Sequence, residues 1–296
     1  MIRLPENPAV RASLYMVIAM ASFVCNDSLV KLVGQSLPVG EIMMIRGGFA
    51  ILIIGAICIH QGALASVPLL RHRAVLIRAG LDLFATVLFL TALMHMEIAN
   101  LTAVTQSVPL AVALLSKLFL GENVGWRRVS AIVVGFIGVM LIVRPTPSTF
   151  TIYEVLAIGI VFAVAVRDLM TKRIPVRIPT FAVALANAVF VTTGGLMLSL
   201  AEGAVQPAPW QLGLLAMAAA FLSSGYMFMV ATLRLGDLSA TAPFRYTIVI
   251  FAIVSGMALF SEYPDALALA GMALIIASGL YAAHREAKLR RAAKLA

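Results

Sequence analysis

The sequence predicts an all-α integral membrane protein of ten transmembrane helices, built as two inverted five-helix repeats with both termini in the cytoplasm. Three observations predict it: a composition too apolar for water, ten apolar runs separated by short turn-rich connectors, and a self-similarity at a shift of 140 to 141 residues.

Of the 296 residues, 62% are hydrophobic and 12% charged, and the mean hydropathy is +1.02. Soluble domains sit nearer half apolar. A hydrocarbon core about 30 Å thick takes about 20 apolar residues to cross as a helix, so a chain of this length allows about ten crossings and little soluble domain. The net charge of +9 would suggest nucleic acid in a soluble protein. Here the cations fall between apolar runs, and no nucleic-acid partner is expected. Cys25 and Cys58 lie inside apolar runs, where a thiol acts as a small hydrophobe, so no disulfide framework or metal cluster is expected.

The first run, 12–33, follows Arg3 and Arg11 as a signal peptide would, but continues past Asn26, Asp27 and Lys31 with no small-residue cleavage site. It reads as a retained helix. Further runs cover 40–60, 74–95, 99–120, 127–143, 152–172, 178–200, 210–234, 238–260 and 266–283. Turn residues punctuate the connectors, as in Leu37-Pro38 with Gly40, Arg144-Pro145-Thr146-Pro147, Pro207-Ala208-Pro209 and Tyr263-Pro264-Asp265. In lipid each backbone N–H and C=O must pair within its own segment, and no alternating barrel pattern occurs, so the runs are helices.

Lys and Arg set the orientation. Arg3, Arg11, Arg71, Arg73, Arg127, Arg128, Lys172, Arg173, Arg177, Arg234 and the basic tail fall on one side, while the opposite loops hold little beyond Arg144. The positive-inside rule makes the rich side cytoplasmic, with both termini there and an even number of crossings. Trp126, Trp210, Tyr153, Tyr263 and Tyr281 stand at run ends, where amphipathic rings favour the headgroups.

The repeat is read in FVCNDSLVK, Phe23 to Lys31, against VAVRDLMTK, Val164 to Lys172, which superposes Asp27 and Lys31 on Asp168 and Lys172. Phe49 and Phe190 keep the same shift, and Leu120-Gly121-Glu122 matches Phe260-Ser261-Glu262 one residue closer. The boundaries read as 1–146 for the first repeat, 147–284 for the second and 285–296 for a basic cytoplasmic tail. Five helices is an odd number, so the second copy enters the membrane from the other side. Inverted repeats are the build of many secondary transporters, with a midplane site exposed to each side in turn.

The segment Leu90 to Glu122, LTALMHMEIANLTAVTQSVPLAVALLSKLFLGE, and its counterpart Ala231 to Glu262 resemble the ten-helix drug/metabolite transporter superfamily and its EamA-like exporters. Within it the chain is most similar to the bacterial aromatic amino acid exporters. The resemblance implies an inner-membrane exporter of amino acids and their analogues, with a central cavity lined by the first, third, fourth, sixth, eighth and ninth helices. Exporters of drugs or other metabolites, and a non-transporting receptor or subunit, are the alternatives.

An ionisable residue in a spanning helix costs about 2.5 to 3.5 kcal/mol on insertion scales, so each needs a partner or an aqueous cavity. Arg78 and Asp82 are four apart and share a helix face, with Asp82 the deeper. Asp27 with Lys31, and Asp168 with Lys172, have the same spacing near opposite surfaces; they read as snorkelling helix ends or as latches of an outer and an inner gate. Gln106 precedes Pro109, and Arg245 with Tyr246 follows Pro243; a proline leaves the carbonyl four residues earlier without its donor and exposes backbone polarity. An amino acid substrate needs donors for its carboxylate, acceptors for its ammonium and an apolar wall. Arg245 supplies the first, Asp82 or helix carbonyls the second, and Phe84, Tyr226 or Met227 the third. Arg46 reads as snorkelling, His95 as a surface residue, and Glu122 and Glu262 as helix ends.

No G-x-x-x-x-G-K-[ST], H-E-x-x-H or G-x-S-x-G motif occurs, so neither an ATP motor of its own nor an enzyme is indicated, and no cofactor is expected. The expected partners are a small-molecule substrate and the lipid bilayer, around a monomer or weak homodimer.

Overall fold

The computed structural model describes residues 8–60, 62, 70–120, 126–144, 151–171, 173–175, 177–235 and 238–295. The described residues form α1 (Pro8–Val33), α2 (Val39–His60), α3 (Arg73–His95), α4 (Ile98–Thr105), α5 (Val108–Leu120), α6 (Trp126–Val143), α7 (Ile152–Thr171), α8 (Thr180–Glu202), α9 (Pro209–Leu235), α10 (Leu238–Arg245), α11 (Thr247–Phe260) and α12 (Ala266–Leu295). Among the sequence expectations, Arg3, Gly121, Glu122, Pro145 to Pro147, and Lys172 lie outside the described residues.

Two of these pairs are single spans with a break. Only Gln106 and Ser107 separate α4 from α5, and only Tyr246 separates α10 from α11. Among the described residues, 8 helices are long and apolar enough to cross a membrane. Two sequence runs fall short of that measure for physical reasons. The apolar part of α6 is the shorter stretch Val129–Val143, and α7 carries Glu154, Arg167 and Asp168 within its 20 residues.

The chain forms two compact units, and each draws on both halves of the sequence. The first comprises Met1–Val24, Met96–Glu154 and Ser224–Ala296; the second comprises Cys25–His95 and Val155–Ser223. In the first unit α6 packs on α12 through glycine. A Cβ on Gly138 would meet the Gly271 carbonyl oxygen at 2.7 Å, and one on Gly135 would meet Ser278 Oγ at 2.8 Å. As α6 advances its contacts on α12 recede, so the pair is antiparallel. α4 and α11 also run antiparallel, with Ile98 beside Gly256 at one end and Gln106 bonded to Arg245 at the other. Met16, Ala19 and Met20 of α1 add an apolar cluster that includes Phe228, Met229 and Phe251.

In the second unit α2 lies antiparallel on α8. Gly40 meets the backbone of Ser199, Gly195 meets Met43, and Gly47 meets Thr192. Small residues let two backbones approach where lipid offers no hydrophobic drive between helices. α8 and α12 each stand a half-chain after the helix they pack on, and the broken span of α10 and α11 stands a half-chain after that of α4 and α5. Equivalent spans of the two halves thus pack antiparallel on each other.

Leu52, Phe119, Leu200 and Met197 are exposed along the helices, and Trp126, Trp210 and Tyr263 are exposed at their ends. Lipid chains and headgroups respectively suit these surfaces.

Candidate functional site

The first unit holds the broken helices. Pro109 has no N–H to offer the Thr105 carbonyl, and the chain tightens there: Ser107 donates to the Val104 carbonyl at 3.0 Å and Leu110 to the Ser107 carbonyl at 2.9 Å. The opposing span breaks at the equivalent place. Gln106 and Tyr246 stand 140 residues apart, at corresponding positions of the two halves. Gln106 Nε2 donates to the Arg245 carbonyl at 3.4 Å, so the two breaks face each other.

Beyond the second break α11 starts at Thr247, and its flanking Tyr246 places no side-chain cap on it. The first N–H groups of a helix lack intrahelical acceptors and favour negative charge, whereas freed carbonyls favour cations. Tyr246 is buried against α12, its hydroxyl occupying the space a Cβ on Gly279 would take. Arg245 is half-buried and Pro109 exposed. Tyr226 packs edge-on against Phe23 with ring centroids 5.4 Å apart, and both Tyr226 and Met227 are about half exposed.

The second unit holds a network of linked charges. Asp82 on α3 does not take Arg78 as its ion partner, as the i, i+4 spacing suggests; Arg167 Nη1 on α7 reaches its Oδ1 at 2.6 Å. Arg78 Nε instead donates to Thr171 Oγ1 at 2.8 Å. Arg167 also holds Asp168 Oδ1, through Nε at 3.1 Å and Nη2 at 2.9 Å. On α1, Asn26 Nδ2 donates to Asp27 Oδ1 at 2.8 Å, and the amide oxygen of Asn26 accepts from Arg46 Nη1 of α2 at 3.3 Å. Arg46 is therefore a buried partner within the unit, not a snorkelling end. Lys31 is buried, while Phe84 is exposed on α3.

The expected residues thus separate. Gln106, Pro109, Arg245 and Tyr246 gather at the two breaks of the first unit, where Tyr226 and Met227 also belong. Asp82 and Phe84 belong to the second unit with Asp27, Lys31 and Asp168. The sequence reading missed Asn26, Arg46, Arg167 and Asn187 as a set. Carrying the shift of 141 one residue back from Asp27 and onward to Arg46 pairs Asn26 with Arg167 and Arg46 with Asn187.

Among the described residues no group of His, Cys, Asp or Glu could hold a metal ion. Apolar helices with glycine-packed contacts, broken spans that meet, and charges paired inside the spans describe a membrane transporter. The chain belongs to the EamA-like transporter family, whose profile matches it twice, over residues 10–144 and 151–282. It is similar to the S-adenosylmethionine uptake transporter of Rickettsia felis, 25% identical over 93% of this chain and 92% of that one. It is similar also to the pseudopaline exporter CntI of Pseudomonas aeruginosa, 28% identical over 89% and 92%, and to the riboflavin transporter of Brucella anthropi, 28% identical over 75% and 78%. A solved crystal structure shares the fold with a TM-score of 0.64 at 17% identity, covering 91% of this chain and 96% of its own. These relatives are not specifically aromatic amino acid exporters.

Proposed function

We propose that the protein is a secondary transporter that exports amino acids and related small metabolites across a bacterial inner membrane by alternating access. In this reading it crosses the membrane ten times with both termini cytoplasmic. The observation that carries the substrate class is the meeting of the two helix breaks at Gln106 and Arg245. A free amino acid is a zwitterion. The start of α11 and the Arg245 guanidinium suit its carboxylate, and the carbonyls freed at the breaks suit its ammonium. Tyr226 and Met227 offer apolar surface for its side chain.

The relatives support small-metabolite transport and differ in substrate and in direction, since one is an uptake transporter and another an exporter. The first of them carries a methionine conjugate, which bears the same zwitterionic head as a free amino acid. Asp27, Lys31, Asp168 and Lys172 act in this reading as gate residues near the two ends of the pathway.

Proteoliposomes preloaded with radiolabelled amino acids, S-adenosylmethionine or riboflavin test it by counterflow. Aromatic or other neutral amino acids should exchange, and Arg245→Ala should abolish that exchange while the protein still inserts. Exchange of riboflavin alone, or of no solute, overturns the amino acid reading.

A further inference from the structure

The second unit contains two copies of one polar arrangement, wired differently. Asn26 on α1 and Arg167 on α7 occupy equivalent positions, and each donates to the carboxylate that follows it, Asp27 or Asp168. Each then uses its remaining capacity on a neighbouring helix. Asn26 is joined to Arg46 of α2, whereas Arg167 is joined to Asp82 of α3.

Those two links are not equivalent. The counterpart of Arg46 is Asn187 on α8, and the counterpart of Asp82 is Ser223 on α9, each 141 residues on. Asn187 and Ser223 are 9% and 3% exposed, and Asn187 Oδ1 and Ser223 Oγ have no hydrogen-bond partner among the described residues. Buried polar atoms are rarely left unpaired, and each such case calls for a physical reason. These two atoms belong to the mates of the two residues that are engaged.

We propose that Asn26 and Arg167 form a two-position latch, rewired when the transporter changes state. The present state joins α1 to α2 through Asn26–Arg46 and α7 to α3 through Arg167–Asp82. In the alternate state Arg167 leaves Asp82 and donates to Asn187 Oδ1, joining α7 to α8. Asn26 leaves Arg46, and its Oδ1 accepts from the Ser223 hydroxyl, joining α1 to α9. Inverted halves that exchange conformations exchange their links in this way, so the orphaned polar atoms mark the bonds of the state not seen. The latch rests on the alternating-access reading proposed above.

Spin labels on Ile77 of α3 and Val155 of α7 report the position of α7, both sites being exposed. They are placed in a Cys25→Ser/Cys58→Ser background, and the full chain is studied in lipid nanodiscs without substrate. The unaltered latch should give two distance populations. Asn187→Leu with Ser223→Ala removes the alternate partners and should enrich the population with α7 on α3 at least threefold. Asn187→Asp offers Arg167 a charged acceptor and should enrich the other population by a similar factor. Opposite shifts from these two variants are not produced by a general folding defect. A single population in the unaltered latch overturns alternating access itself. Two populations that ignore residues 187 and 223, or that move the same way with Leu and Asp, overturn the latch alone.

Discussion

Glu262, beyond the end of α11, accepts the backbone N–H of Ile98, the first residue of α4, at 2.8 Å. The residue that precedes α4, Glu97, makes no side-chain cap of its own. A carboxylate at a helix N-terminus satisfies an orphan donor and complements the helix dipole, and here it is delivered from a residue distant in sequence.

Removing this cap should therefore destabilise the first unit without touching the helix breaks. Glu262→Ala is expected to lose about 1 kcal/mol, within the usual range for an N-cap. Glu262→Gln, which keeps the acceptor oxygen, should lose less. Thermal unfolding in detergent measures both, and equal midpoints for Ala and wild type would remove the capping role.

A second contact of the same unit, between helix ends, responds to pH. Arg144 Nη2 pairs with Asp265 Oδ1 in an exposed ion pair, and Asp265 also accepts the Ala268 N–H at 2.9 Å. The Arg144 hydrogen bond, and after it the Ala268 N–H, hold the Asp265 carboxyl below its ordinary range, while the pair raises Arg144 further. A carboxyl lowered by folding adds stability that is complete above its unfolded value, about 3.9, and is lost as pH falls through the lower folded value. The difference in thermal midpoint between wild type and Asp265→Asn should thus be present at pH 7 and shrink below about pH 4. Added salt should narrow it at pH 7, because the pair is exposed.

The glycine contact between α6 and α12 leaves no space for a side chain. A Cβ on Gly138 would lie 2.7 Å from the Gly271 carbonyl oxygen and 2.9 Å from Ile275 Cγ1. Gly138→Ala should lose about 1 to 3 kcal/mol, the usual cost of overpacking. Gly80→Ala on α3 meets nothing within 4 Å, and should instead gain up to about 1 kcal/mol from helix propensity. The pair of variants separates packing from a general intolerance of glycine replacement.

What was legible in the sequence follows from distance along the chain. Helix spans show as apolar runs, and Pro109 and Pro243 sit beside the breaks because proline acts on its own turn. The cation nearest to Asp82 in sequence is Arg78, four residues away, whereas its ion partner Arg167 lies 85 residues on, beyond any local signal. Glu262 shows in the sequence as a helix end, but nothing local says that it caps α4. Arg46 reads as snorkelling until Asn26 is placed opposite it. The repeat was the one long-range signal available, and it reaches Asn26, Arg46, Arg167 and Asn187 only when carried past identical residues to exchanged ones.

The Asp82–Arg167 pair should show strong coupling. Arg167→Ala leaves Asp82 and Asp168 without their shared guanidinium, a loss of about 1.5 to 3 kcal/mol for charged hydrogen bonds between partly buried groups. Asp82→Asn in the same chain should recover part of that loss, because one uncompensated charge is removed. A double-mutant cycle on unfolding free energies measures the recovery. Additive losses would mean that the contact carries no energetic coupling.

At the first helix break, stability and transport should move in opposite directions. Pro109 stands in the first turn of α5, and the Thr105 carbonyl lacks the donor that a continuous helix would supply. Pro109→Ala restores that N–H and allows α4 and α5 to join, so unfolding should become harder. The same repair withdraws a free carbonyl from the break and shifts Gln106 away from the Arg245 carbonyl, now 3.4 Å from its Nε2. Exchange of amino acids by proteoliposomes should then fall by about tenfold, equivalent to about 1.4 kcal/mol in the limiting barrier. Gln106→Leu should give a similar fall with less than about 1 kcal/mol change in stability, since one long hydrogen bond is weak. A Pro109→Ala protein that is both more stable and equally active would show that the broken span serves packing and not the pathway.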